Sequence, residues 1–140
     1  MASLIWNHAC TVGVQSIDDQ HGVLLDALNE LRLALLHGED SKTVRAMLKR
    51  ATELMRLHVE SEDKLLAQHG FPGLAAHRAE HQRLLGRLKQ YEIRYEQRNA
   101  DSVYELVEYL RKWFTAHTGA SGREYGPWLQ ESRLQNNRVQ

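Results

Sequence analysis

Three segments of the chain carry apolar residues at helical spacing, and in each the apolar stripe turns into histidine or glutamate near one end. The positions are His58 and Glu62, His77 and His81, and His117. Burying such polar side chains where leucine is expected is costly unless they are paired or bound to something. Several of them meeting in one core indicate a metal site.

The elements that must position these side chains are predicted to be four helices, because apolar residues recur with a period of 3.6 in four segments. The breaks between the segments are Gly38, His69–Gly73 and Asn99–Ser102. Ser16–Asp19 reads as a capping box that opens the first helix, and Asp40 or Ser41 is expected to cap the second. Four long helices with short connections predict an all-α fold, an antiparallel up-down-up-down four-helix bundle with residues 1–16 as an N-terminal arm.

This topology makes a prediction about where the polar side chains meet. In such a bundle the start of the first helix, the end of the second, the start of the third and the end of the fourth lie at one end. The side chains that fall there are His21, His58, Glu62, His77, His81 and His117. Five imidazoles and one carboxylate suit iron, zinc, copper or nickel far better than calcium or magnesium.

Composition excludes several classes of function. The 140 residues include 18 basic and 18 acidic side chains, so no net field favours nucleic acid or a membrane surface. No segment approaches the ~20 apolar residues of a membrane span, and the N-terminal residues show no signal-peptide pattern. The single cysteine, Cys10, excludes an internal disulfide and agrees with a cytoplasmic location. We expect a monomer with one domain over residues 1–132 and a polar tail over 133–140.

Short sequence blocks then indicate a family. They read VGVQSIDDQH at 12–21, HVESED at 58–63, HGFPGLAAHRAEH at 69–81 and WFTAH at 113–117, with Trp6 before them and Tyr125 after them. With these blocks the chain resembles the hemerythrins, and most closely the bacterial hemerythrin domains. The resemblance implies two iron ions, bridged by oxide or hydroxide and held by five histidines and two bridging carboxylates, which bind dioxygen.

The resemblance also implies a role for each ligand. One iron would be held by His77, His81 and His117, the other by His21 and His58, and Glu62 would bridge the two. The open position at which dioxygen docks would be on the iron that has two histidines. The combination of these motifs is specific, whereas any one of them alone is a weak signal.

One position departs from the pattern of the family. The second bridging carboxylate is an aspartate five residues after the histidine of the fourth helix, and Gly122 occupies that position here. His117 and Tyr125 fix the register on either side. The centre would therefore be one unit more positive in a medium where charge is costly. A water, a hydroxide, a small anion or Glu124 is expected to compensate.

The sequence leaves three functions open. The first is a dioxygen-binding di-iron protein for storage, delivery or sensing. The second is a peroxidase-like or oxygen-activating enzyme, in which the position opened by Gly122 admits peroxide or a small anion. The third is a metal-binding module that signals occupancy to a partner. Each histidine taken alone is more simply a hydrogen-bonded core residue, and Trp113 and Phe114 are expected to be general core.

Overall fold

The structure, a computed structural model, describes residues 14–97, 101–117, 125–129 and 131. Its helices are α1 (Gln15–Leu36), α2 (Ser41–Gln68), α3 (Leu74–Glu96) and α4 (Asp101–Ala116). Residues 125–129 form a further short helical segment. No strand occurs among the described residues, and the predicted all-α fold is confirmed.

Glycine ends the first two helices because the chain turns there through the left-handed region. Gly38 has a φ of 68° and Gly70 a φ of 65°, values that other residues adopt only at a cost. After α1, the N–H of Gly38 donates to the backbone oxygen of Leu35 at 3.2 Å. The N–H of Glu39 donates to that of Ala34 at 3.0 Å, which completes a Schellman motif. The chain can therefore reverse within a few residues.

The start of α2 agrees with the predicted cap, whereas the start of α1 does not. The carboxylate of Asp40 accepts a hydrogen bond from the backbone N–H of Thr43 at 2.8 Å, as an N-cap side chain does. The predicted capping box at Ser16–Asp19 is wrong, because α1 begins at Gln15 after Val14, which makes no side-chain cap. Val14 is 1% exposed, so burial of an apolar side chain anchors this helix end instead.

The four helices form a closed ring in which each helix contacts two others. α1 packs on α2 and α4, and α3 packs on the same two helices. The main hydrophobic core fills the ring with side chains from every helix, such as Leu28, Leu48, Leu84 and Leu106. Consecutive helices that pack side by side through short connections run in opposite directions. The predicted antiparallel four-helix bundle is confirmed.

A second, smaller cluster of apolar side chains closes one end of the bundle. This end cluster comprises Val14, Ile17, Leu66, Tyr125 and Leu129, which come from three distant parts of the chain. Three of its members, at positions 66, 125 and 129, have no exposed surface. The bundle therefore has two apolar regions that are separate from each other.

Several predictions lie outside the described residues. They are the arm up to residue 13, the tail at 133–140, and the proposed consequences of Gly122 and Glu124. The domain boundary at residue 132 stays a prediction for the same reason. No helix in the described part of the chain is long and apolar enough to cross a membrane.

Candidate metal centre

All six predicted ligand side chains lie at the same end of the bundle. The structure places His21 in the second turn of α1, His58 and Glu62 in the second half of α2, His77 and His81 at the start of α3, and His117 directly after α4. None of these side chains is more than 5% exposed. Helix starts and helix ends meet here alternately, which is possible only because neighbouring helices are antiparallel.

The polar cluster separates the main core from the end cluster. In α1, His21 lies one turn after Ile17 of the end cluster and one turn before Leu24 of the main core. In α2, Glu62 lies one turn before Leu66 of the end cluster. Apolar side chains on both sides shield the polar groups from solvent, so these groups must be satisfied by one another or by a bound ion.

Glu62 lies at the centre, and different histidines face each of its two oxygens. Its Oε2 is 3.0 Å from His58 Nε2 and 3.7 Å from His21 Nε2. Its Oε1 contacts His77 Nε2 and lies 3.4 Å from His81 Nε2. One carboxylate therefore joins a pair of histidines from α1 and α2 to a pair from α3.

His117 lies between the two pairs. Its Nε2 is 3.1 Å from Glu62 Oε1 and 3.4 Å from Oε2. The ligand atoms form two sets of four, and both sets include Glu62 and His117. One set adds the histidines of α1 and α2, and the other adds the two histidines of α3. Within each set the atoms lie within 4.8 Å of one another.

The distances between these atoms fit bound metal ions. Two ligand atoms that are each about 2.1 Å from one ion, at right angles, are about 3 Å apart. The contacts of Glu62 with His58 and His117 have this spacing, as do the Nε2 atoms of His21 and His58, which are 3.0 Å apart. Within the described residues, His81 Nε2 makes no hydrogen bond, which is unfavourable for a buried nitrogen unless a cation binds it.

Polar side chains around the cluster orient two of the rings. His58 Nδ1 lies 2.9 Å from Gln20 Oε1, and His81 Nδ1 lies 2.8 Å from Asp63 Oδ1. In the tautomer that donates from Nδ1 to this oxygen, each ring presents Nε2 to the centre, where it can bind a metal ion. Metal-binding histidines in proteins are commonly held in this way.

The electrostatics of the cluster keep its carboxylate ionised. Burial alone would raise the pKa of Glu62, but hydrogen-bonding contacts with the surrounding histidine rings outweigh this effect and hold the pKa well below its usual range. Burial lowers the pKa of His58, so that ring is neutral at pH 7. Burial also lowers the pKa of His117, but the carboxylates of Glu62 and Glu80 raise it to about 9. A cation that enters must displace the proton of His117.

Two aromatic side chains pack against the candidate ligands. The ring of Trp113 stacks on His117, with 4.3 Å between centroids and 15° between planes. Tyr125 of the end cluster is fully buried, and its ring lies 5.3 Å from that of His77. Burial and the charge of Glu62 raise the pKa of Tyr125. Its hydroxyl group therefore stays protonated beside the carboxylate.

Comparison with known proteins agrees with this geometry. The family model for the Hemerythrin HHE cation binding domain matches residues 12–129. The chain belongs to this family. The resemblance inferred from the sequence blocks is confirmed, and the cation that the family description names has a matching cluster of buried ligands in this bundle.

Relatives of the family align along most of this chain. It is 27% identical to the bacteriohemerythrin of Stenotrophomonas maltophilia over 125 residues, which are 89% of this chain and 80% of that protein. It is 27% identical to the bacteriohemerythrin of Methylococcus capsulatus over 130 residues, which are 92% of this chain and 98% of that protein. A crystal structure of wild-type hemerythrin matches with a TM-score of 0.83 and 26% identity, over 91% and 98% of the two chains.

The sequence identified the hemerythrin-type cluster but not the polar side chains that surround it. Gln20, Asp63 and Glu80 lie off the apolar stripes, where amide and carboxylate groups are ordinary on a solvated helix face. Each is the immediate neighbour in sequence of a candidate ligand, and this is the one signal that could have revealed it. Trp113 was expected to be general core, and the structure adds that its ring stacks on His117.

Removal of the charge on Asp63 should weaken metal binding. Asp63 accepts the hydrogen bond that fixes the ring of His81, so Asp63→Asn lowers the basicity of that ring and loosens its orientation. We expect the affinity for ferrous iron to fall roughly tenfold to a hundredfold, measured by competition with a chelator. Glu60→Gln, an exposed change on the same helix, is the control. Equal affinities in the two variants would contradict a supporting role for Asp63.

Loss of the proton of His117 should make the metal-free chain less stable as the pH rises. The folded-state pKa of about 9 exceeds the ordinary histidine value of 6.5, so this stabilisation is present below pH 6.5 and is lost as the pH rises through 9. Denaturant titrations at pH 6.5, 7.5 and 8.5, with a chelator present, measure the free energy of unfolding. His117→Gln should flatten this decline, whereas His37→Gln, at an exposed position, should leave it unchanged. An unchanged slope in His117→Gln would show that this ring does not hold the proton.

Proposed function

We propose that the chain is a non-haem di-iron protein that binds dioxygen for storage, delivery or sensing. The observation that carries this proposal is the position of Glu62, whose two oxygens face histidines on opposite sides. A carboxylate in that position can bridge two ions, whereas a structural site for one ion needs only one of its oxygens. Imidazole-rich sites favour iron, zinc, copper or nickel, and membership of the hemerythrin family favours iron among these.

We assign the ligands as the family resemblance implies. The proposed ligands of one iron are His77, His81 and His117, those of the other are His21 and His58, and Glu62 bridges them. When bound, two ferrous ions supply the two electrons that dioxygen takes up. The distances support this assignment for both pairs of histidines. His117 lies at similar distances from the two oxygens of Glu62, so its assignment to the iron of His77 and His81 rests on the family resemblance.

The remaining residues of the site keep water out and keep the rings in place. Tyr125 and Leu66 of the end cluster cover the ligands from one side, and the main core covers them from the other. Asp63 and Gln20 hold two of the rings in the tautomer that can bind a metal. A dry and rigid pocket favours reversible binding, because water and anions compete poorly for a site that they cannot reach.

Iron loading tests this proposal directly. The full chain should bind two ferrous ions in the absence of oxygen, and dioxygen should then produce a new optical band that disappears on degassing. The double change His77→Ala and His81→Ala should abolish at least half of the iron binding, because it removes both α3 ligands. His37→Ala, an exposed change, should keep full loading. Full loading of the double variant would refute the ligand assignment, and loading without an optical response would refute dioxygen binding.

A second candidate function, peroxide turnover, follows from Gly122. Within the described residues, Glu62 is the only carboxylate in the two sets of ligand atoms. If Gly122 replaces the second bridging carboxylate, the ion pair keeps an additional positive charge and an open position. Both features favour entry of water, peroxide and small anions.

Restoring a carboxylate at position 122 separates the two functions. Gly122→Asp should slow autoxidation and peroxide turnover roughly tenfold, which is about 1.4 kcal/mol of activation free energy, and should weaken azide binding. Ser121→Asp adds the same charge one residue away and should change none of these. Stopped-flow spectroscopy of the iron-loaded variants measures all three quantities. If Gly122→Asp and the original chain behave alike, no functional bridge is missing. The monomeric state and the cytoplasmic location stay predictions.

A further inference from the structure

A row of oxidisable aromatic rings leads away from the metal centre. It begins at Trp113, whose ring stacks on the ligand candidate His117 with 4.3 Å between centroids. Tyr109 lies one turn earlier on α4, on the same helix face. The ring of Tyr91, from α3, lies 5.9 Å from that of Tyr109. The row therefore crosses from one helix to the next while it moves away from the site.

The outer end of this row reaches the surface. Tyr91 and Tyr109 border a hollow of about 480 Å³ that is open to solvent. The guanidinium of Arg87 lies over both rings, 5.5 Å from the centroid of Tyr91 and 5.3 Å from that of Tyr109. A cation in this position disfavours a positively charged radical. Oxidation of either ring must therefore release the phenol proton.

Packing alone would not require tryptophan at position 113 or tyrosine at position 109, whereas the hydroxyl of Tyr91 also accepts a hydrogen bond from Arg87 at 3.5 Å. Phenylalanine would also fill the space beside His117 and between α3 and α4, but it does not give up an electron under biological conditions. Tryptophan and tyrosine do. At neutral pH a tyrosine that loses its proton is oxidised more easily than tryptophan, so a tryptophan at the site followed by tyrosines toward the surface draws electrons inward.

We propose that Trp113, Tyr109 and Tyr91 form a one-electron relay between the iron centre and the surface. Through it, a small dihydroxybenzene reductant in solution supplies electrons when hydrogen peroxide reacts at the centre. The relay rests on the second candidate function proposed above, peroxide turnover at an iron centre. Electrons that arrive through the relay reduce the oxidised centre, so that it does not oxidise the ligand histidines.

The electrons and protons balance as follows. Hydrogen peroxide takes up two electrons and two protons, its O–O bond breaks, and two waters form. Each electron leaves Trp113 and is replaced from Tyr109, whose phenol proton passes to solvent. One hydroquinone at the surface returns two electrons, releases two protons and becomes benzoquinone. The net reaction converts hydrogen peroxide and hydroquinone into two waters and benzoquinone, and the chain ends unchanged.

Photo-oxidation tests the relay without iron chemistry. The full chain is loaded with zinc, and Trp6→Phe and Trp128→Phe leave Trp113 as the one tryptophan of the original three. A flash with a ruthenium photo-oxidant then creates a tryptophanyl radical, and its decay into a tyrosyl radical is followed optically. Adding Tyr109→Phe should slow this decay at least about tenfold, or about 1.4 kcal/mol of activation free energy. Tyr95→Phe is the control, because Tyr95 donates to the backbone of Ser41 instead.

The iron-loaded chain provides the second measurement. With hydrogen peroxide and hydroquinone, single changes Trp113→Phe and Tyr109→Phe should each lower benzoquinone formation at least about fivefold, or about 1 kcal/mol, and Tyr95→Phe should not. Without hydroquinone, paramagnetic resonance should show a tyrosyl radical that Trp113→Phe abolishes. Unchanged radical decay in the zinc protein and unchanged benzoquinone formation would overturn the relay and leave these rings a packing role. Iron content and the dioxygen spectrum, measured on the same samples, show separately whether the proposed function holds.

Discussion

A single negative charge buried among imidazole rings is the constraint on which this bundle depends. Glu62 has no exposed surface, and a carboxylate in such a place is unfavourable unless charge and hydrogen bonds surround it on every side. The five histidines that surround it come from α1, α2, α3 and the residue that directly follows α4. The helices must therefore be aligned along the axis of the bundle as well as run in alternating directions. A shift of one helix by a single turn would remove a ring from the cluster and leave an apolar side chain facing the charge.

The positions of the helix ends contribute to this alignment. α1 and α2 each end two residues before a glycine, Gly38 and Gly70, whose left-handed backbone conformation prevents the helix from continuing. The second half of α2, the longest of the four helices, passes through the site and supplies both Glu62 and His58. The main core determines how the helices pack along their length, and the end cluster determines how the site is closed. The two regions have different roles and have no described residue in common.

The fold and the polar cluster were predictable because both follow from periodicity. Apolar spacing identified four helices, and the up-down topology brought the six polar residues to one end. The start of α1 was predicted wrongly, since burial of Val14 anchors the helix where a polar cap at Ser16 was expected. The contacts of Gln20 and Asp63 could not be predicted, because they join residues about 38 and 18 positions apart in the chain and depend on helix rotation. Gly122 was recognised through its register, and its structural consequence lies outside the described residues.

The end cluster has a consequence for the order in which the protein matures. It joins Val14 and Ile17 near one end of the chain to Leu66 in the middle and to Leu129 far along it. A chain still being synthesised holds His21, His58 and Glu62 long before the segment that covers them exists. During that interval the early ligands are accessible to water and to any metal in the cell. Once the end cluster has closed, an ion bound at the site can be exchanged only when that end of the bundle opens.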